Sequence, residues 1–385
     1  MYVKREHKKL PHIVKFSGGR SSGYMVLELL EKNLLDKKRG DVVIFNNTSA
    51  EHPKTYEFVK KIKYEVEKAG IPFFILEFQT FEDMKGNIYD RYASYRIVNE
   101  REYSRENPFG YRKNMEVFEE FISFLGYTPS FFSGRICSKY LKKNVTEEFV
   151  KDWLDFLKYG VNLQRKGHYQ NKIMADFEKI YQKHRKNNGS VPFEIFKNKK
   201  EFCYLKSKHV RESQNFQDFT NVKLVSGIQY GGYDVVSLIG FRKDEEYRLK
   251  RIEERLKLKD NIEFYVKEGN EHIYMPLIFW EADCKDVFDF WDNYKFDLEL
   301  PRDGVLGNCV YCFMKGADKL MKITPSKESR ALDIDYWAEL EKKYQRDLIA
   351  EERKRKDDVK IINFFGSNGE MSYEIIRNSI RNNNK

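Results

Sequence analysis

The chain has 385 residues, 41% of them apolar, and its net charge of +10 comes from 70 Lys and Arg against 60 Asp and Glu. That length suits one α/β core with additions, and the charge favours polyanionic or nucleotide partners, although a lysine-rich proteome would give the same balance. No apolar run approaches the roughly 18–20 residues of a membrane span, Met1 to Arg5 leads to no signal-peptide core, and five cysteines exclude a complete disulfide framework, so the expectation is a cytoplasmic protein with free thiols or metal ligands.

In chain order, the apolar run His12 to Phe16 gives way to Ser17-Gly18-Gly19-Arg20-Ser21-Ser22-Gly23, and then to an amphipathic stretch reaching Leu35. The order is strand, glycine loop, helix. Glycines without Cβ let backbone N–H groups turn inward, and Ser21 and Ser22 add hydroxyls where a helix dipole begins, so the loop suits a phosphate or pyrophosphate; a tight turn with a serine cap is the plain alternative. It is neither a Walker A loop nor a dinucleotide GxGxxG. Val42 to Phe45 predicts a buried parallel strand ending in the polar turn Asn46 to Pro53, Lys54 to Ala69 a helix, and Pro72 to Phe78 a third strand. This βαβαβ succession predicts a doubly wound, mostly parallel sheet with its ligand crevice at the carboxyl ends of the strands.

From Gln79 to Gly110 the pattern dissolves into polar and aromatic residues, including Tyr89, Tyr92, Tyr95 and Tyr103, which predicts a loop-rich cover over the crevice. Helical periodicity returns at Arg112 to Leu125 and at Ile136 to Leu157. Residues 159–220, rich in Lys, Asn and Gln, read as a basic helical insertion whose clusters Lys183 to Lys186 and Lys197 to Lys200 suit either a nucleic-acid backbone or plain solvation. Val235 to Phe241 is a buried strand delivering Arg242-Lys243-Asp244-Glu245-Glu246-Tyr247-Arg248 into a helix. Tyr274 to Phe279 predicts a strand, Cys284 to Tyr294 a helix, Asp333 to Lys356 a charged helix, and the Asn-rich end a disordered tail. The resulting divisions are a nucleotide-binding core (1–158), the insertion (159–220), the rest of the core with Cys309-Val310-Tyr311-Cys312 (221–325), and a C-terminal extension (326–385).

Four stretches in this order carry a resemblance: Ser17 to Gly23; Asn47-Thr48-Ser49-Ala50-Glu51 with Thr55; Arg135-Ile136-Cys137-Ser138 with Leu141-Lys142; and Gly240 to Glu245 with Arg248. Together they resemble the PP-loop adenine nucleotide alpha-hydrolases, a Rossmann-like fold, in their phosphoadenosine phosphosulfate (PAPS) reductase-like branch; Gly307 to Gly316, with its CxxC, is similar to the ending found in phage and prophage members. The resemblance covers residues 12–325 apart from the insertion. It implies an ATP or PAPS-like adenine nucleotide bound through Ser17, Gly18, Gly19, Ser21, Ser22, Gly23, Asn47, Thr48, Glu51 and Arg135. Arg20 stands where many relatives carry Lys, a fork in place of a point charge. Arg20, Arg242, Asp244 and Arg248 would act at the α-phosphate, with Glu51 or Asp244 holding Mg²⁺; for the acids, an ordinary helix N-terminal charge is the alternative, and for the arginines a surface ion pair.

The same likeness implies a metal centre on Cys137, Cys309 and Cys312, a [4Fe-4S] cluster with one open iron or zinc with a fourth ligand, against inert thiols or a redox pair. Cys284, at a helix start, reads as an inert thiol in preference to a fourth ligand. True PAPS reductases attack the sulfonate with a cysteine near the carboxyl terminus, and this chain has none after Cys312. Three functions follow as expectations. The first is alpha-phosphate cleavage that activates an acceptor, nucleic acid among the options; the second is sulfur transfer or PAPS reduction through the cluster; the third is a nucleotide-sensing regulator working with a protein partner or as an oligomer.

Overall fold

The structure is a computed structural model describing residues 2–85, 88–131, 134, 136–160, 169–170, 215–228, 232–256, 263–347, 361–366 and 371–383. Most of the basic insertion, with both lysine clusters and Cys203, lies outside the described residues, as does Arg135. No helix among the described residues is long and apolar enough to cross a membrane.

The strands β1 (His12–Phe16), β2 (Val42–Asn47), β3 (Phe73–Lys85), β7 (Val235–Ile239) and β9 (Glu271–Tyr274) pair in parallel in the order β3-β2-β1-β7-β9. The strand order reverses at β1, with β2 and β3 added on one side of it and β7 and β9 on the other. The edges are mixed: β4 (Ile88–Glu102) runs antiparallel to β3, and β8 (Tyr265–Glu268) antiparallel to β9. β1, β2, β7 and the first half of β3 are largely apolar on both faces because both are covered. Val14, Phe16, Val43 and Phe45 meet helices α1 (Arg20–Glu31) and α2 (Pro53–Lys68), while Ile13, Val42 and Ile44 meet α3 (Glu116–Leu125) and α4 (Val145–Tyr159). The fold is therefore a mixed α/β sheet, doubly wound by helices.

Several sequence expectations change. The cover expected over Gln79 to Gly110 is sheet: β3 runs on to Lys85 and pairs with β4 from Ile75↔Val98 to Lys85↔Ile88. Polar residues misled there because they are buried in partnership. Arg96 and Arg112 both donate through Nε to Glu77 Oε2 (2.8 and 2.7 Å), and Arg112 Nη1 reaches Glu120 (2.8 Å). Burial opposes the Glu77 charge, but the two guanidiniums outweigh it and hold its carboxyl below the ordinary range. Arg112 is used in this network and Met115 has positive φ, so α3 starts only at Glu116. Its first turn is capped from afar, Ser49 Oγ accepting from Val117 N (2.8 Å).

The strand expected over Tyr274 to Phe279 stops at Tyr274, and Pro276–Phe279 is a short helical turn that opens on proline. The long charged helix ends early, as Ile334–Tyr344, and the expected disordered tail contains a helix, Tyr373–Asn383. Tyr373, Ile376 and Ile380, spaced three and four apart, are buried while Asn378 and Asn382 are exposed. Trp337 packs 5.5 Å from Phe118 and 5.2 Å from Tyr373, so the C-terminal extension completes the core on the α3 side.

Candidate functional site

A cleft of ≈ 320 Å³ opens at the carboxyl ends of β1 and β7, where the strand order reverses and α/β sheets place ligands. Ser17, Gly18, Gly19, Arg20, Ser21 and Ser22 line it, with Glu51 and Thr55 from the β2 turn and Gly240, Arg242, Glu245 and Arg248 from beyond β7.

The loop's shape follows from its residues. Gly18 has φ +79°, and a Cβ there would sit 2.9 Å from Thr55 Cγ2 and 3.0 Å from the Phe45 ring. Ser22 Oγ ties the loop to itself, accepting from Ser17 N (3.1 Å), contacting Ser17 Oγ (2.8 Å) and donating to Gly19 O (3.0 Å). Helix α1 begins with no side-chain cap and no acid in its first turn, so its leading N–H groups carry their positive end uncompensated. Gly240 lies against this loop, since a Cβ would come within 2.9 Å of Ser22 Cα. Gly23 serves packing instead, its Cα facing Phe58 and Trp291.

Arg242 bridges the two sides. Its Nη1 donates to Ser21 Oγ (2.8 Å), while Nε and Nη2 grip Asp244 (2.9 and 2.9 Å). That bidentate bond holds the Asp244 carboxyl below the usual range; burial works against the Arg242 charge, but Asp244 and Glu245 more than restore it. Asp244 stays outside the cleft lining, behind the arginine. Arg248 pairs with Glu245 (3.0 Å) and stands 5.0 Å over Phe241. Arg20 turns its fork onto Asp297 (2.8 and 2.8 Å) and Leu300 O (2.7 Å), which joins the loop to the far wall.

The β2 turn divides its labour. Glu51, 3% exposed, accepts from Thr48 Oγ1 (2.7 Å) and Tyr56 OH (3.1 Å) and still borders the cleft. Burial and the Glu51 charge push the Tyr56 hydroxyl well above its ordinary pKa, so it remains a donor. Asn47 is fully buried and committed to structure: Nδ2 donates to Glu77 and Arg112 O (2.7 and 2.7 Å), and Oδ1 accepts from Ser49 N (2.8 Å). Neither Asn47 nor Thr48 lines the cleft.

The CxxC loop attaches directly behind this turn. Cys309 forms a strand-like bridge with Glu51, Val310 N donates to Ala50 O (2.9 Å), and Thr48 Oγ1 lies 3.4 Å from Cys309 Sγ. The two cysteines sit in turns rather than on a helix, and Lys315 Nζ clasps the loop through three carbonyls, of Val305, Cys309 and Val310 (2.6, 2.9 and 2.7 Å). Burial and then the Glu51 charge raise the Cys309 thiol, and burial and then Cys312 raise the Cys137 thiol. Among the described residues, no group of three His, Cys, Asp or Glu side chains is disposed to hold a metal ion. The four described cysteines are free thiols.

Sequence reasoning missed the far wall, formed by Val287, Phe288, Leu298, Leu300, Pro301, Arg302, Asp303, Gly304, Gly307 and Asn308, and it read Cys284 as an inert helix start although that residue lines the cleft. Pro301-Arg302-Asp303-Gly304 was a legible turn, but nothing local says what it faces. Comparison of the chain with protein-family models, with curated proteins and with solved structures finds no match.

Proposed function

We propose that the chain is a PP-loop adenine nucleotide alpha-hydrolase of the PAPS reductase-like kind, which binds ATP or a related nucleotide and breaks the bond between its α- and β-phosphates to activate or modify an acceptor. The observation that carries this reading is the convergence of Ser17–Ser22, Glu51 and the Gly240–Arg248 stretch on one cleft at the strand-order reversal. The uncapped start of α1 and the hydroxyls of Ser17 and Ser21 hold the pyrophosphate. An acceptor oxygen attacks the α-phosphorus, the bridging P–O bond breaks, and pyrophosphate leaves with the bonding pair; Arg242 and Arg248 stabilise the growing charge. Glu51, the buried acid bordering the cleft, would be the carboxylate to hold Mg²⁺, which would neutralise phosphate charge when bound. Asp244 orients Arg242.

Labelled ATP incubated with Mg²⁺ and acceptors should give pyrophosphate together with AMP or an adenylylated product. Its absence with every acceptor, alongside tight nucleotide binding, would replace catalysis with nucleotide sensing.

A second reading, sulfur transfer, is favoured by the contact of Cys309 with Thr48, one side chain from Glu51. As they stand, Cys137, Cys309 and Cys312 do not form a ligand set, so no step is routed through a cluster. Anaerobic purification followed by iron and zinc analysis decides between cluster, zinc and plain thiols. Thiolated nucleosides that disappear in Cys→Ser variants of the three would support sulfur transfer.

A further inference from the structure

We infer that Arg302 is a further phosphate-binding residue of the cleft, held in reserve on Asp292 and released to the nucleotide's phosphates when the nucleotide binds. The inference rests on the nucleotide reading above and adds to it a residue from the far wall, outside every stretch that carried the resemblance.

Among the described residues, Arg20, Arg242, Arg248 and Arg302 line the cleft, and the first three are tied to the protein. Arg20 gives three bonds to Asp297 and Leu300 O, Arg242 is shared between Asp244 and Ser21, and Arg248 pairs with the buried Glu245. Arg302 is held differently. Its Nη1 donates to Asp292 Oδ2 (3.1 Å) and its Nη2 to Oδ1, and the pair stands in solvent with side chains 38% and 57% exposed. An ion pair that exposed contributes little, because water screens it and two long side chains must be kept ordered. A phosphate in the cleft offers the guanidinium more charge and the same two-pronged geometry, so it displaces Asp292.

The backbone permits the exchange. Leu300 and Val305 are buried and fix the two ends of a turn, while Pro301, Arg302, Asp303 and Gly304 between them are exposed. Among the described residues, nothing from 295 to 308 makes a backbone–backbone hydrogen bond, so no ladder breaks when the turn shifts. Gly304 stands at φ +72°, and a Cβ there would meet nothing within 4 Å. The ring of Phe288, itself in the cleft lining, lies 4.6 Å from the Arg302 guanidinium and keeps it at the rim by a cation–π contact.

The test is calorimetric titration of the full chain with ATP and Mg²⁺ and, separately, with inorganic pyrophosphate. Arg302→Ala should weaken both about ten-fold, the loss of one charge-assisted contact. Asp292→Asn should strengthen both about two- to five-fold, because the competing carboxylate is gone. Both side chains are exposed, so the fold survives either change. Opposite signs from the two halves of one ion pair are what a purely structural pair cannot give. Wild-type affinities in Arg302→Ala, or equal losses in both variants, would overturn the inference and leave the cleft as the nucleotide site. A loss for ATP with pyrophosphate unchanged would also overturn it, by placing Arg302 on the base or ribose. Failure of wild-type protein to bind either ligand would remove the cleft reading and the inference with it.

Discussion

Gly240→Ala tests the cleft at its tightest seam. The added Cβ would lie 2.9 Å from Ser22 Cα, 3.2 Å from Ser22 N and 3.3 Å from Ser22 Cβ. Ordinary carbon contacts are about 3.5–4.0 Å, so the end of β7 and the glycine loop must part by about half an ångström or more. The obstruction is backbone and cannot swing aside, which sets the cost at about 1–3 kcal/mol, the range for overpacking. The shift falls on the residue whose Oγ ties Ser17 N to Gly19 O, so ATP affinity should drop about ten-fold as the loop's donors lose their common aim. Calorimetric titration with ATP and Mg²⁺, paired with urea unfolding, reads both effects. Gly316→Ala is the control for ATP binding, since a Cβ there meets nothing within 4 Å; as the N-cap of the helix Ala317–Met321 it should lose up to about 1 kcal/mol of stability and leave ATP affinity unchanged. Wild-type ATP affinity and an unmoved urea midpoint in Gly240→Ala would refute the reasoning.

Three further outcomes are expected. Arg242→Ala removes the fork that joins Ser21 to Asp244, and pyrophosphate release should fall by about 10²–10³; Arg242→Lys should restore only part of it, and unchanged turnover would remove Arg242 from the chemistry. Cys284 lines the cleft, so saturating ATP with Mg²⁺ should slow its alkylation by iodoacetamide, read by peptide mass spectrometry; equal labelling with and without ATP would place the nucleotide elsewhere. Glu341 accepts from Tyr373 N and Phe364 N (2.8 and 3.3 Å), and burial raises its carboxyl to about 7. Being raised above its unfolded value near 4.3, it contributes stability fully present below that value and lost as pH rises through about 7, about 1–3 kcal/mol in all. Denaturant unfolding of Glu341→Gln should lack that fall between pH 4.5 and 7.5; a slope equal to wild type would exclude Glu341 as its source.

Periodicity and glycine placement made the parallel half of the sheet readable. Continuous apolar runs at Val42 and Val235 read as strands covered on both faces, and a strand running into Gly18-Gly19 and then an amphipathic stretch marked the loop that lines the cleft. Local pattern failed where polarity was buried in company. Glu77, Arg96 and Arg112 fall in a predicted strand, cover and helix respectively but form one ionic network inside the sheet, and the Asn-rich tail hides a three-residue apolar stripe that has meaning only against Trp337.

The sequence by itself therefore determined the βα succession, the glycine loop, and the stretches at Glu51, Arg242 and Arg248 that share its cleft. Only the tertiary structure decided which side chains are spent on each other. Asn47 is consumed by Glu77, Arg20 by Asp297 and Asp244 by Arg242, because buried or half-buried polar atoms must find partners and those partners lie up to 277 residues away along the chain. The far wall from Leu298 to Asn308 was decided the same way, by packing that brings distant segments together and that no local spacing encodes.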